Sequence, residues 1–153
     1  MKKLLLLSCL LLGILSSCSD DYTVKTRTDY LTTDKWFIEY ATVSTNIEGQ
    51  NQTQSLLDFL PHCAMDNYLT FLPDGTIAMD ENLCNCENSP ANSVIGNWQL
   101  VDNSRTFRGT LPGVPVNVDL HILQLDGKYL KLQWDGQQDG IPATFFVMYS
   151  HMY

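Results

Sequence analysis

The strongest constraint on the fold is a pair of alternating segments joined by a tight turn near the C-terminus. Residues 116–122 alternate between an apolar and a polar face, and residues 129–134 do the same after Asp126-Gly127, a dipeptide that favours a two-residue hairpin turn. A period of two fits a strand with one buried face, whereas a helix repeats every 3.6 residues. The inward residues of the hairpin are predicted to be Val116, Val118, Leu120, Ile122, Leu130, Leu132 and Trp134.

Six further segments have the length and composition of strands. Pro73-Asp74-Gly75 separates two of them with residues that suit a turn. Only residues 55–60 look helical, because Leu56, Leu57 and Leu60 are spaced for one face of a helix. The six predicted strands cover residues 36–41, 68–71, 76–79, 97–101, 106–111 and 144–153.

Eight strands with short connections and little helix predict an all-β domain over residues 34–153. A closed up-and-down barrel satisfies this pattern because closure removes exposed sheet edges. A two-sheet β-sandwich is the alternative. About 120 residues are enough for one domain with a single core.

The first 17 residues have the pattern of an export signal. Lys2 and Lys3 precede an apolar run over residues 4–15. This run is too short to cross roughly 30 Å of hydrocarbon, which takes about 20 helical residues. Positive charge, a short apolar core and small residues are together typical of a secretory signal peptide.

The residues that end this segment, Leu15-Ser16-Ser17-Cys18, resemble the lipobox of bacterial lipoproteins. The resemblance implies cleavage before Cys18, a diacylglycerol on its thiol and acylation of its amine. Two or three acyl chains hold a protein firmly, since each buried CH₂ contributes about 0.8 kcal/mol. The alternative is an ordinary cleaved signal that happens to precede a cysteine.

Residues 18–33 are polar and are predicted to form the lipidated cysteine and a flexible tether. Within them, Ser19-Asp20-Asp21 resembles the acidic tag of lipoproteins that some Gram-negative bacteria carry to the outer face of the outer membrane. We therefore expect a lipid-anchored protein of the outer membrane, either exposed on the surface or facing the periplasm.

The charge of the chain excludes nucleic acid as a partner. Removal of residues 1–17 takes away two lysines, which leaves 7 Lys and Arg against 17 Asp and Glu, a net charge of −10. Such a surface repels phosphate backbones and anionic headgroups, and no basic cluster offsets it. The membrane contact is therefore expected through the lipid alone.

Short motifs follow one another along almost the whole domain. They are Trp36-Phe37-Ile38-Glu39, Leu56-Leu57-Asp58, residues 63–71, Asp74-Gly75-Thr76, Asp80-Glu81, Cys86, Gly96-Asn97-Trp98 and Leu130-Lys131-Leu132. In this order they resemble the lipocalin-like lipoproteins of Gram-negative bacteria. The resemblance implies an eight-stranded lipocalin-like barrel behind a lipobox and brings no known reaction. Two positions depart from the family pattern: Asp34, where a glycine often precedes the first tryptophan, and Cys84, an extra cysteine.

Three cysteines remain in the domain: Cys63, Cys84 and Cys86. Outside the cytoplasm disulfides persist, so one pair is expected to be joined. A two-residue turn at Asp74-Gly75 would set Cys63 opposite Cys86, whereas a bulged three-residue turn would favour neither partner. The family spacing also indicates Cys86. We therefore predict a Cys63–Cys86 disulfide, with Cys84 free or paired between chains.

The polar residues form no recognised catalytic motif. There is no phosphate loop, nucleophile elbow or zinc helix, and His62, His121 and His151 are interpreted as surface or structural residues. A metal site that combines His62 with Cys84 and Cys86 is disfavoured against a disulfide. Asp80-Glu81 lacks the spaced oxygen donors of a calcium loop. We expect no enzymatic activity, no cofactor and no metal.

Aromatic side chains give the remaining indication of function. Trp36, Trp98, Trp134 and Tyr149 could line a ligand cavity, since an eight-stranded barrel can hold one small molecule. Side chains can also fill a barrel of this size. The first hypothesis is therefore a binding protein for a small apolar or amphipathic ligand. The second is a structural or interaction lipoprotein with a filled barrel that contacts an envelope protein or a surface glycan.

Overall fold

The structure, a computed structural model, describes residues 24–84, 86, 92–115 and 118–151. Within these ranges it has one α-helix, two short 3-10 helices and nine strands, and no helix there is long and apolar enough to cross a membrane. The helix is α1 (Arg27–Thr32), and the 3-10 helices are Leu57–Phe59 and His62–Ala64. The strands are β1 (Lys35–Ile47), β2 (Gln50–Ser55), β3 (Tyr68–Phe71), β4 (Thr76–Asp80), β5 (Asn92–Val101), β6 (Thr106–Gly109), β7 (Asp119–Leu125), β8 (Tyr129–Gln138) and β9 (Ile141–Ser150).

Eight of the strands form a closed antiparallel barrel. Their order is β1-β3-β4-β5-β6-β7-β8-β9, and β9 pairs back onto β1 from Phe37↔Ser150 to Thr45↔Ala143. β2 is an extra strand that pairs with the second half of β1. The predicted barrel is thus confirmed and the two-sheet sandwich is excluded.

The alternation that predicted the hairpin of β7 and β8 is confirmed where the structure describes it. Leu120 has no exposed surface, while its neighbours Asp119 and His121 are exposed. A bulge between Ile122 and Gln124 then shifts the register, so that the next buried residue is Leu125. Val116 and Asn117 of the predicted strand lie outside the described residues.

Two predictions about the segment after β1 were wrong. β2 had not been expected, and it is joined to β1 by a tight turn in which Glu48 and Gly49 both have positive φ, as a type I′ hairpin requires. The helix predicted over residues 55–60 is only the 3-10 turn Leu57–Phe59. A three-residue turn satisfies few backbone groups, and this one packs Leu57 against the core.

The predicted flexible tether over residues 18–33 is wrong for its last part, where α1 forms. Thr26 caps this helix: its hydroxyl accepts from the Asp29 amide at 3.1 Å, and the Asp29 carboxylate accepts from the Thr26 amide at 2.7 Å. Leu31 is fully buried, and its carbonyl accepts a 2.9 Å hydrogen bond from Nε1 of Trp36. The folded domain therefore begins before Asp34.

The barrel has two ends of different construction. The end covered by α1, which we call the helix end, also carries the turns at residues 72–75, 102–105 and 126–128. The opposite end, which we call the disulfide end, carries residues 56–67, residues 81–86 and residues 110–115. Antiparallel strands alternate in direction, which places these two sets of connections at opposite ends.

Candidate ligand-binding site

A cavity with two adjoining lobes opens at the disulfide end. The lobes have volumes of about 250 and 210 Å³. Five residues border both: Ile38, Leu60, Pro112, Gly113 and Tyr149. The first lobe is completed by Ala64, Asn67, Leu69, Met79, Glu81 and Cys86, and the second by Ala41, Leu56, Val114, Trp134 and Val147.

The inward register of β3 and β4 explains how two polar residues reach this apolar wall. Leu69 and Met79 are directly opposite each other and line the first lobe. Two residues further along each chain, in the direction of the disulfide end, stand Asn67 and Glu81. Because side chains in a strand return to the same face every second residue, both continue the inward face past the last paired residues.

Glu81 is the one charged residue among those that line the two lobes in the described structure. It is only 6% exposed, and its Oε1 accepts a 3.3 Å hydrogen bond from the backbone amide of Cys86. Its Oε2 is buried and has no hydrogen-bond partner among the described residues, and the same holds for Oδ1 of Asn67. The otherwise apolar wall of the first lobe therefore contains two buried acceptor atoms without a partner in the described structure.

The predicted Cys63–Cys86 disulfide is confirmed, with the two Cα atoms 5.3 Å apart. The two-residue turn that had been used to argue for it is wrong. Phe71 pairs with Ile77, and Leu72 and Thr76 are hydrogen-bonded, so the loop is the three-residue alternative. The cysteines meet because both lie beyond the end of this ladder, where the chain is no longer held in its register.

Cys84 is a free, exposed cysteine. Its backbone amide donates a 3.0 Å hydrogen bond to Oδ2 of Asp66, which also accepts from the amide of Leu83 at 2.8 Å. These bonds fix the loop after β4 against the segment before β3. Together with the disulfide they hold the part of the cavity wall that contains Glu81.

Two of the four aromatic residues predicted to line a cavity are brought to it. Tyr149 borders both lobes and Trp134 the second one, and burial raises the pKa of Tyr149. Trp36 is instead buried beneath α1 with its ring 3.9 Å from that of His151. Trp98 packs edge-to-face on Phe71, towards the helix end.

None of the three histidines lines either lobe of the cavity. His62 and His121 are exposed, and Nδ1 of His151 lies 3.0 Å from the carbonyl oxygen of Lys35. Near His121, the exposed Asp119 is bound to Arg108 at 2.6 Å, and this hydrogen bond lowers the pKa of Asp119. In the described ranges, no three His, Cys, Asp or Glu side chains lie close enough together to hold a metal ion.

Glu81 and Asn67 are the polar residues of the site that sequence analysis missed. Asp80-Glu81 had been named as a motif of the family and disfavoured as a calcium site, but not assigned to a cavity. The signal was nevertheless present, since Ile77, Met79 and Glu81 continue one period-two pattern. Asp80 belongs to the other face, where it accepts a 2.5 Å hydrogen bond from the hydroxyl of Tyr68.

Comparison with known proteins found no match to a protein-family model and none to a curated protein. The functional assignment therefore depends on the geometry of the cavity and on the sequence motifs.

Proposed function

We propose that this protein is a cell-envelope lipoprotein of the lipocalin-like kind that binds one small apolar or amphipathic molecule in the cavity at the disulfide end. The observation that carries the proposal is the cavity itself, an apolar space of two adjoining lobes in the mouth of a barrel whose helix end contains fully buried side chains such as Phe71 and Phe107. A concave apolar wall with a few polar groups is the usual form of a small-molecule site.

Exposed apolar residues near the mouth support this function. Phe59 is 66% exposed and Leu83 is 89% exposed, and the apolar side chains of Leu60 and Met65 are also exposed. These residues stand on the same two segments that supply the cavity wall. Apolar residues at an entrance lower the cost of passing an alkyl chain from a membrane or carrier into the barrel.

The proposed anchor fits the orientation of the barrel. Lipidation at Cys18 would attach the acyl chains eight residues before Thr26. A fully extended chain of eight residues spans at most about 29 Å. α1 covers the helix end, so the anchor would join the domain there. The cavity would then open on the end directed away from the point of attachment.

Blocking the cavity tests the binding function. Ala64 lines the first lobe, and Ala64→Phe should fill it and weaken binding of octanol by at least about tenfold in isothermal titration calorimetry. Ala78→Phe, on the outer face of β4, is the matched control and should leave binding unchanged. The proposal fails if octanol shows no saturable binding to the wild type, or if both variants bind it equally well.

Removing the acceptor thiol tests the anchor. Because acylation requires the Cys18 thiol, Cys18→Ala should abolish incorporation of labelled fatty acid and move the protein into the soluble fraction. Cys84→Ala removes an exposed thiol elsewhere and should leave both unchanged. Continued labelling of the Cys18→Ala protein would contradict the assignment as a lipoprotein.

A further inference from the structure

No cationic side chain pairs with the buried carboxylate of Glu81 among the residues that the structure describes. It lies in the wall of the cavity, and the residues that line both lobes include no lysine, arginine or histidine. The loop that follows it, residues 82–91, also contains none of these residue types. A buried carboxylate is strongly destabilising unless it is paired or fully hydrogen-bonded, yet one of its oxygens has no partner among the described residues.

The second polar group of the wall also has an unpaired acceptor oxygen. Oδ1 of Asn67, the inward position just before β3, is also buried without a hydrogen-bond partner in the described structure. Both unpaired atoms are acceptors, so they are complementary to a hydrogen-bond donor. The Cys86 amide already donates to the other oxygen of Glu81 at 3.3 Å and fixes the carboxylate in place.

We infer that the ligand is a cationic amphiphile, an alkyl chain with a protonated amine whose head binds Glu81 and Asn67 while its tail lies in the apolar lobes. This inference rests on the proposed function and specifies the chemistry of the same site. An ammonium group supplies both the missing charge and the missing donors, and charge-assisted hydrogen bonds are about twice as strong as neutral ones. A fatty-acid carboxylate would instead lie against a second carboxylate.

Three octyl compounds with one tail and different heads test this inference on the wild-type protein. The mature chain, residues 18–153, would carry Cys18→Ala so that its own acyl chains cannot compete. At neutral pH, calorimetric titration should give an affinity for octylamine at least about tenfold higher than for octanoate, with octanol between them. The comparison needs no change in the barrel and is therefore independent of any folding defect in a variant.

Substitution of Glu81 tests whether its carboxylate causes the higher affinity for octylamine. Glu81→Gln keeps the size of the side chain and an oxygen that can accept from the Cys86 amide, and it should remove most of the advantage of octylamine over octanoate. The surface as a whole also attracts amines, because the mature chain has a net charge of −10. Glu39→Gln changes the charge equally on an exposed residue of β1, so it measures that contribution and should leave the preference intact.

The possible outcomes separate this inference from the proposed function. If octanol and octanoate bind as tightly as octylamine, the cavity is a binding site without a preference for a cationic head, and the inference is refuted. Tighter binding of octanoate than of octylamine would also overturn the inference. If none of the three compounds binds saturably, the proposed function itself fails. An octylamine preference that Glu39→Gln reduces as much as Glu81→Gln would assign the effect to surface charge and contradict the inference.

Discussion

The two ends of the barrel are covered and stabilised in different ways. At the helix end, α1 seats Leu31 over the core, and Trp36, Phe71 and Phe107 below it have no exposed surface. At the disulfide end, covalent and backbone bonds hold two irregular segments, and the side chains between them leave an apolar cavity. Apolar packing stabilises the first end, whereas a crosslink holds the second in shape around an open space.

This difference indicates how stability and binding are divided within a small domain. Close-packed side chains contribute most of the free energy of folding, and a cavity forgoes part of that contribution. The chain keeps its filled core at the end where α1 begins the fold. The opposite end, where the side chains leave a cavity, contains both the disulfide and the partly unpaired Glu81 carboxylate.

The largest expected effect is at the helix end. Phe71 is fully buried and makes edge-to-face contacts with Trp98 and Phe107, at centroid distances of 6.0 and 5.6 Å. Phe71→Ala should therefore lower the free energy of unfolding by about 3–5 kcal/mol. Leu60→Ala at the disulfide end should cost under about 1 kcal/mol, because Leu60 is 38% exposed and already borders a cavity. Denaturant midpoints at constant slope measure both, and equal costs would contradict the contrast between the ends.

Loss of the disulfide should have the next largest effect. The bond joins two cysteines 23 positions apart, so replacing both Cys63 and Cys86 by alanine should cost about 3 kcal/mol in the chain-entropy model. Peptide mapping without reductant should join these two cysteines and leave Cys84 open to alkylation. A crosslinked peptide that contains Cys84 would show that the disulfide end is built differently.

The smallest effect concerns the cap of α1. Thr26→Ala should cost about 1 kcal/mol, and Thr28→Ala, a neighbouring exposed threonine without a capping role, should cost less. Hydrogen bonds from Thr26 lower the pKa of Asp29, so their contribution is present above the ordinary aspartate pKa and is lost as the pH falls through the lowered value. Thr26→Ala removes the hydroxyl bond but keeps the backbone amide, which is the larger cause, so it should reduce that acid limb of the stability profile only in part. Equal behaviour of the two variants would mean that residues before Asp34 are a tether after all.

Most of the barrel could be predicted from alternation because its strands have one apolar face. Leu120 and Leu132 illustrate this, since each is buried between polar neighbours. β2 escaped prediction because residues 50–55 are all polar and nearly all exposed, so no periodicity distinguishes them from a loop. In this segment only Glu48-Gly49 has the composition of a hairpin turn that would indicate the pairing of β1 with β2. α1 escaped because its six residues include just two large apolar side chains, Tyr30 and Leu31, too few to form a periodic face.

The candidate site was less accessible to prediction. Sequence can indicate that Glu81 continues an inward register, but whether its carboxylate finds a partner depends on loops from distant parts of the chain. Pro112 and Gly113, more than 30 residues away, complete the wall opposite it. The aromatic residues were predicted by type alone, and type does not distinguish Trp36, which supports α1, from Trp134, which lines the cavity.

Methyl NMR of the mature chain during titration with octanol shows whether a ligand enters the cavity at the disulfide end, because it locates the ligand without a substitution in the barrel. Saturable shifts are expected for the methyl groups of Ile38, Leu60 and Met79, which line the cavity. Those of Leu31 and Ile77, which are fully buried and absent from the cavity wall, should remain unchanged. Saturable shifts centred on Leu31 and Ile77, or no saturable shift at the disulfide end, would contradict binding in this cavity.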